Sequence, residues 1–532
     1  MDGPLATAMV EVPIAAKQSM VRRPIDAILD NPILTKHLRS RLRPTQVIGS
    51  ALIVAAIGIA IVFAGYELGW HVSGWALAGT MALQLFVLAF TGSYQVGSAV
   101  GGAREAGILD YHRLSPVPPW HVAIGFFLGA PVREYLLFAI TIPFTVVCGA
   151  MGPTGVFGAL QLLVPIVMTS WLLQAFAMMT SLTDKKPKKA AQGAMGALIL
   201  FSFIFGMPIL WGLVYATTLF TGQVVNHIPF FGYQLYWLFS VALYEAVLIG
   251  FVLIGCMRKM RSDRARAYSK GLGIAFLASF TTLVLGAAWS AKGYPNVVIV
   301  VLYLLVLWAI VMTPSITPDD MMYRRGVRRA LAQGRRRPPW YTDEASNRVA
   351  IVVYGAIVAL GATIAWESVE GRPTGGRTVY SQAIAVGVFV AAYIGLGLQY
   401  FALRLGRRGG TFTTAVVMIL WIVPMVAGFV LAASQNIPGP PSLLSQMLLG
   451  LSPISGIALS ANVANLETPQ SVRIAALMPP IALAFVFNYL LVNVQRRIDR
   501  ALIAVSKRAT DRDHGAPHPL DAPDPPDLTA VD

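Results

Sequence analysis

Four charged residues stand close together in a stretch otherwise poor in charge: Arg104, Glu105, Asp110 and Arg113, within QVGSAVGGAREAGILDYHRLSPVPPWH from Gln95 to His121. Pro116, Pro118 and Pro119 follow them. The stretch lies between strongly apolar runs, too polar to cross a bilayer and too compact to be a soluble domain. Mixed charges on a short helix ended by prolines suit docking on another protein surface. The plainer alternative is an interfacial loop whose charges face water. The stretch is no phosphate loop, because Gly101-Gly102 leads to Arg104-Glu105 and not to a Lys-Ser/Thr pair. A second candidate is Glu245, in the middle of YWLFSVALYEAVLIGF. A carboxylate at bilayer depth costs about 2.5–3.5 kcal/mol on insertion scales, so a place in a transport pathway is a fair expectation. A bond to a neighbouring hydroxyl, or protonation, is the structural alternative. No catalytic constellation emerges: the outer loops hold no Asp/Glu/His cluster, Glu367 and Glu370 are only loosely flanked, and His71 and His227 are isolated. No metal-ligand spacing exists, so no metal site is expected.

The elements that must position these residues are membrane helices. Of 532 residues, 56% are hydrophobic and 12% charged, against about 25% charged in soluble domains. Apolar runs of about 20 residues recur along the chain, as spans require. Backbone groups in lipid must be satisfied within each segment, so the fold class is an all-α polytopic membrane protein. Cys148 and Cys256 fall inside apolar runs, and a disulfide framework is not expected. The first 46 residues lack the apolar region and cleavage site of a signal peptide. The net charge of +16 would suit nucleic acid in a soluble protein. Here it follows from basic residues holding cytoplasmic loops inside.

The hydropathy pattern places twelve spans near 47–65, 74–94, 134–150, 157–181, 194–219, 235–257, 271–289, 297–313, 349–366, 380–403, 413–432 and 476–495. A shallow segment, 122–133, precedes the third. With both termini cytoplasmic, the inner loops carry the basic clusters at 185–189, 258–270, 324–337 and 404–408. Only Lys292, Arg372, Arg377 and Arg473 fall outside. Arg133 and Glu134, at the inner end of the third span, are expected to snorkel or pair. The loop 433–475 contains LLSQMLLGLSPISGIAL, broken by Ser452-Pro453 and Gly456, and reads as a re-entrant or surface helix. Were it a span, six basic residues between Arg496 and Arg512 would face outward. Trp70, Trp75, Trp237 and Trp366 sit near interfaces, as an aromatic belt would.

Ahead of the first span, NPILTKHLRSRLRPT has Ile33, Leu34, Leu38 and Leu42 at helical spacing, with Lys36, Arg39, Arg41 and Arg43 opposite. That pattern makes an interfacial amphipathic entry helix. Internal repetition divides the rest. RKMRSDRARAYSK precedes the seventh span, and two spans later YRRGVRRALAQGRRRPPW repeats the proline–tryptophan ending of the first stretch, with Gly326 near the spacing of Gly107. The expected division is a flexible cytoplasmic N-terminus, 1–30; a first six-helix half, 31–257, with coupling segment 95–121; a second six-helix half, 258–496, with cytoplasmic loop 314–348; and a disordered cytoplasmic tail, 497–532.

The order of entry helix, two spans, REAGILDYHRLSPVPPW and a third span resembles the permease subunits of ABC type-2 transporters. Glu105, Gly107, Leu109, Asp110, Leu114, Pro116 and Val117 stand where that family has its acidic–Gly–aliphatic–acidic pattern and the following Pro-containing segment. The entry sequence NPILTKHLRSRLR is similar too. The resemblance covers 31–257, and the remainder only through the repeat. A Lys common after the family's coupling segment is absent, with Phe126 and Phe127 there, and Pro118-Pro119 is unusual. The resemblance implies an exporter permease driven by a separate cytoplasmic ATP-binding cassette subunit, in a bacterial inner membrane. Arg104, Glu105, Gly107, Leu109, Asp110, Arg113, Leu114 and Pro116 would form the partner-binding surface. ATP-Mg would lie in the partner, with no cofactor in this chain and no enzymatic activity of its own. Membrane lipids would be its other contacts, whether the chain is a homodimer or a self-contained two-half permease. The competing classes are an ion-gradient-driven secondary transporter, which usually buries more ionisable groups than Glu245 alone, and an intramembrane lipid-modifying enzyme.

Overall fold

The computed structural model describes residues 31–67, 74–152, 154–183, 227–263, 265–288, 296–367, 376–406, 422–428, 430–431, 443–452 and 470–513, with 416 and 419. The expected span 194–219 lies outside them, as do the N-terminal 1–30 and most of 413–432. Among the described residues, eight helices are long and apolar enough to cross a membrane. They are Pro44–Glu67, Trp75–Glu105, Val132–Met151, Gly155–Thr183, Trp237–Arg261, Arg348–Glu367, Ser381–Leu405 and Leu477–Ser506. The helices at 270–288 and 296–316 carry shorter apolar stretches.

In chain order the helices are α1 (Pro32–Arg41), α2 (Pro44–Glu67), α3 (Trp75–Leu85), α4 (Gly92–Glu105), α5 (Ile108–Leu114), α6 (Pro119–Gly129) and α7 (Val132–Met151). Then come α8 (Gly155–Gln161), α9 (Leu163–Thr183), α10 (Trp237–Arg261), α11 (Lys270–Ala288), α12 (Asn296–Ile316) and α13 (Asp320–Ala332). The last are α14 (Arg348–Glu367), α15 (Gly376–Leu405), α16 (Leu443–Leu451) and α17 (Gln470–Asp513). A π-helical turn, Phe86–Thr91, joins α3 to α4. One element departs from the all-α expectation. β1 (His227–Phe230) and β2 (Tyr233–Tyr236) form an antiparallel hairpin. Its turn residues, Phe231 and Gly232, both take positive φ, as tight hairpins require. The Phe231 amide donates to the Gly286 carbonyl at 3.1 Å and fixes the hairpin on α11.

Helix α2 turns its apolar residues outward: Ile48, Leu52, Ile53, Ile59 and Phe63 are all exposed. An apolar outer face of this kind is at home in lipid, while Val54 packs inward with Val87 and Leu137. The main apolar core runs without a break from Val96, Phe126 and Met178 through Leu248 and Val252 to Phe280, Trp308, Val358 and Val390. It therefore crosses the expected half boundary at 257/258. Phe251 meets Phe276 edge-on at 5.1 Å, and Trp308 lies 4.8 Å from Phe276 and 4.5 Å from Phe280. Such aromatic pairs add to simple burial.

Two boundaries differ from the sequence reading. The second helix does not end at Tyr94 but runs to Glu105, because Val96, Val100 and Ala103 are buried along it. The last helix does not stop at 495. It continues to Asp513, held by Ile498 and Leu502, which are buried against Tyr323 and Leu403. The shallow segment expected at 122–133 is largely helical, and Val122, Ala123, Phe126 and Phe127 of α6 enter the main core. Trp75 is exposed as an interfacial ring would be, but Trp237 and Trp366 are buried, and Trp70 lies outside the described residues. In the loop 433–475, α16 is helical, and the Tyr393 hydroxyl donates to the Leu451 carbonyl at 2.8 Å.

Candidate coupling surface

Backbone chemistry builds the elbow between α4 and α6. Helix α4 ends at Glu105, and Gly107 takes φ +71°, where a side chain would be strained. The Gly107 carbonyl then accepts from the amides of Asp110 and Tyr111, both at 3.1 Å, and opens α5. Ser115 is extended, as a residue before proline must be, so α5 stops after seven residues. Pro119 occupies the first position of α6, where its missing N–H costs nothing.

Besides Gly107, which makes the turn, the expected coupling residues divide into two sets. Leu109 points inward and is buried in the main core. Glu105, Asp110, Leu114 and Pro116 face outward, with Leu114 90% exposed and Tyr111 beside it 70% exposed. Arg104 and Arg113 turn back toward the protein. The Arg113 guanidinium donates to the carbonyls of Lys259 and Met260, both at 3.1 Å, at the C-terminal end of α10. It also pairs with Asp110 and lies 3.7 Å from Asp263. Arg104 reaches Asp263 at 3.3 Å and the Ser181 carbonyl at 3.4 Å. A cation on the last carbonyls of a helix is favoured by their unpaired acceptors. Asp110, expected to face a partner's basic groups, is thus already paired within the chain, although its side chain stays largely open. A recess of about 330 Å³ opens beneath α5, lined by His112, Arg113, Pro116, Val117, Met260 and Arg261 among others. Burial, then the nearby Lys36 charge, holds the His112 imidazole below its ordinary pKa.

The entry helix is fastened to the same elbow. Asn31 is fully buried, and its Oδ1 accepts from the amides of Ile33 and Leu34 at 3.0 and 3.4 Å. Its Nδ2 donates to the His121 carbonyl at 2.6 Å. A cap that also reaches across 90 residues ties α1 to the start of α6. Gly125 and Gly129 make the seat: a Cβ on Gly125 would stand 2.8 Å from Ile33 Cβ, and one on Gly129 3.0 Å from His37 Cβ. The His37 ring meets Phe126 edge-on at 5.4 Å. Burial, then Arg41 and Lys36, push its pKa down to about 4, so it packs as a neutral ring. On the expected apolar face Ile33 and Leu34 are buried, while Leu42 is exposed.

The connector 258–270 touches both this elbow and a second one, residues 317–347 between α12 and α14. Its Asp263 holds Arg104 and Arg113 of the first. Its basic residues hold the second: Arg258 pairs with Asp343 at 2.6 Å, and Arg266 with Asp319 at 3.7 Å. Lys270 donates to the carbonyls of Thr342 and Ala345 at 2.7 and 2.6 Å. The two elbows are not built alike. Gly326 lies mid-helix, where a Cβ would stand 2.5 Å from Glu344 Cβ, so it does not repeat the left-handed turn of Gly107. Pro338-Pro339-Trp340 leads into turns, whereas Pro119 opens a helix.

Glu245 is buried in α10. Thr169 of α9 donates to its Oε1 at 2.6 Å, and Oε2 has no hydrogen-bond partner among the described residues. The hydroxyl bond foreseen as the structural alternative is therefore present. Helix α9 carries a second polar chain. Trp171 donates to the Tyr135 hydroxyl at 3.2 Å, and that hydroxyl donates to Gln174 Oε1 at 3.0 Å. Gln174 Nε2 donates to the Leu88 carbonyl at 3.0 Å, inside the π-helical turn. π turns leave carbonyls open and recur at functional sites. Gly92 admits the amide, since a Cβ there would stand 2.6 Å from Gln174 Nε2. Arg133 and Glu134 pair at 2.7 Å, as expected.

The sequence reading did not find Asn31, Asp263, Thr169 or Gln174 as site residues. Gln84 and Gln174, polar residues inside apolar runs, were signals for the interior network, and Gln84 indeed donates to Thr145 at 2.7 Å. Among the described residues, no group of three or more His, Cys, Asp or Glu side chains gathers to hold a metal ion. In comparisons with known proteins, no family model matches the chain, and no curated protein or solved structure matches it either.

Proposed function

We propose that the chain is the membrane-spanning permease subunit of an ATP-driven transporter of the ABC type-2 kind, moved by a separate cytoplasmic ATPase through residues 104–121. The observation that carries this reading is the elbow at α5. Its outer side offers Leu114, Tyr111, Glu105 and Asp110, while its inner side is fastened by Arg113 to the end of α10. A surface open outward and rigid inward can receive a displacement and pass it on. Motion of α5 moves α10, which carries Glu245 against Thr169 of α9. Through Asp263 and the connector, the same motion reaches the second elbow at Asp343 and Asp319. Transport is then alternating access between two states, biased by ATP-dependent closure of the partner. Hydrolysis belongs to the partner, which holds ATP-Mg; the sequence here has no G-x-x-x-x-G-K-[ST] loop. Export is the direction that the resemblance implies.

The same reading keeps twelve spans in two halves, both termini cytoplasmic, in a bacterial inner membrane. A reporter fused after Arg512 is expected to read as cytoplasmic. A reporter active on the outer side would overturn that layout. The functional reading is tested by gentle purification of the full chain from native membranes and identification of the proteins that accompany it. An ATP-binding cassette subunit held through 104–121 supports the proposal. A chain that purifies without any nucleotide-binding partner shifts the weight to an ion-driven transporter, for which Glu245 is the group to change.

A further inference from the structure

The second elbow presents a surface unlike the first. In α13, Tyr323, Val327 and Ala330 are buried, with Tyr323 and Val327 against residues of α15 and α17 that include Leu396 and Leu491. The opposite side consists of arginines: Arg324, Arg325, Arg328 and Arg329 are exposed, and Arg335, Arg336 and Arg337 follow. Three of these have carboxylate partners: Arg324 with Asp320 at 2.8 Å, Arg329 with Glu344 at 2.5 Å and Arg337 with Asp499 at 3.0 Å. Arg325, Arg328, Arg335 and Arg336 form no ion pair among the described residues. Met321, Trp340 and Tyr341 stand exposed on the same elbow, at 59, 47 and 60%. Arg496, Arg497 and Arg500 of α17 are exposed on either side of Asp499, which binds the Tyr323 hydroxyl at 3.1 Å.

Only residues 317–319 separate the apolar helix α12 from α13. Three residues span at most roughly 10 Å, so in the proposed layout, where α12 is a span, the start of α13 lies about one Debye length from the bilayer surface. Arginines with no ion pair among the described residues, beside exposed amphipathic aromatics, match the chemistry of lipid headgroups. We propose that this surface binds the phosphate groups of anionic phospholipids in the adjacent leaflet, with Arg325, Arg328, Arg335 and Arg336 on the phosphates and Trp340 and Tyr341 at headgroup depth. The inference rests on the layout proposed above and not on the ATPase partner; the reporter after Arg512 reads that layout separately.

The test is native mass spectrometry of the full chain in mild detergent, titrated with equal amounts of dioleoyl phosphatidylglycerol and dioleoyl phosphatidylcholine. The wild type is expected to prefer phosphatidylglycerol by about tenfold or more, since each cation near a headgroup layer contributes to binding. The variant R325Q/R328Q/R335Q/R336Q is expected to fall close to parity. These four side chains make no ion pair among the described residues, and an unchanged melting temperature is the expected control. The variant R39Q/R43Q, on and just after the entry helix, is expected to keep most of the preference. Equal binding of the two lipids by the wild type overturns the proposal, as does an equal loss in both variants. Tighter binding of a single-stranded RNA oligonucleotide, or of a peptide with the acidic sequence 514–532, than of phosphatidylglycerol at the same ionic strength also overturns it.

Discussion

Replacing Arg113 with alanine is expected to lower substrate transport by about tenfold or more while the chain still inserts and still binds the proposed ATPase, because bonds from a charged donor are each worth about 1.5–3 kcal/mol when a buried partner is left behind. Arg113 is the α5 side chain that grips the last carbonyls of α10, at Lys259 and Met260. Its removal leaves those acceptors open and frees Asp110 and Asp263 of a shared cation. The docking face, Leu114 and Tyr111, is untouched. Binding therefore survives while transmission fails, and the measurement is ATP turnover with and without substrate, beside transport in vesicles. Arg113→Lys is expected to fall between the two, since a single ammonium cannot reproduce the planar fork that bridges two carbonyls. Equal transport by wild type and Arg113→Ala would show that α5 and α10 move independently.

Asn31→Ala is expected to detach the entry helix from the elbow, at a cost of about 2–4 kcal/mol from a lost cap and a lost buried bond. One amide serves three groups: Ile33 N–H, Leu34 N–H and the His121 carbonyl. Asn31→Asp separates the roles. It keeps the acceptor for the cap but cannot donate to His121, so it is expected to retain the helix and lose the tie. Hydrogen exchange of residues 31–42 and of 119–129 reads both events. Loss of protection in both segments for alanine, but in 119–129 alone for aspartate, is the expected pattern. Full protection in both variants would mean that the glycine seat at Gly125 and Gly129 suffices to hold α1.

The helical membrane class was legible because apolar runs and charge bias report directly on the solvent. The elbow was legible too: Gly107, the carboxylates and the prolines are local signals, and each constrains the backbone where it stands. The end of the second helix was not, since Gln95–Glu105 looks polar in one dimension. Only the tertiary contacts of Val96, Val100 and Ala103 show why it stays helical. The inward roles of Arg104 and Arg113 were hidden for the same reason. Asp263 lies 159 residues from Arg104 in sequence, and no local pattern announces such a pair. The tail was misjudged at its start, because Ile498 and Leu502 carry a helical stripe that the flanking arginines obscure. Trp237 and Trp366 look interfacial by position and are core residues by packing.

The most direct measurement is ATP turnover by the chain purified with its partner, comparing wild type with Glu105→Lys. Glu105 is exposed at the rim of the elbow, where a reversed charge opposes a partner's basic groups without disturbing the core. Substrate-linked turnover is expected to vanish in the variant while the chain remains inserted in the membrane. Turnover equal to wild type, in a variant inserted to the same level, would contradict coupling through residues 104–121.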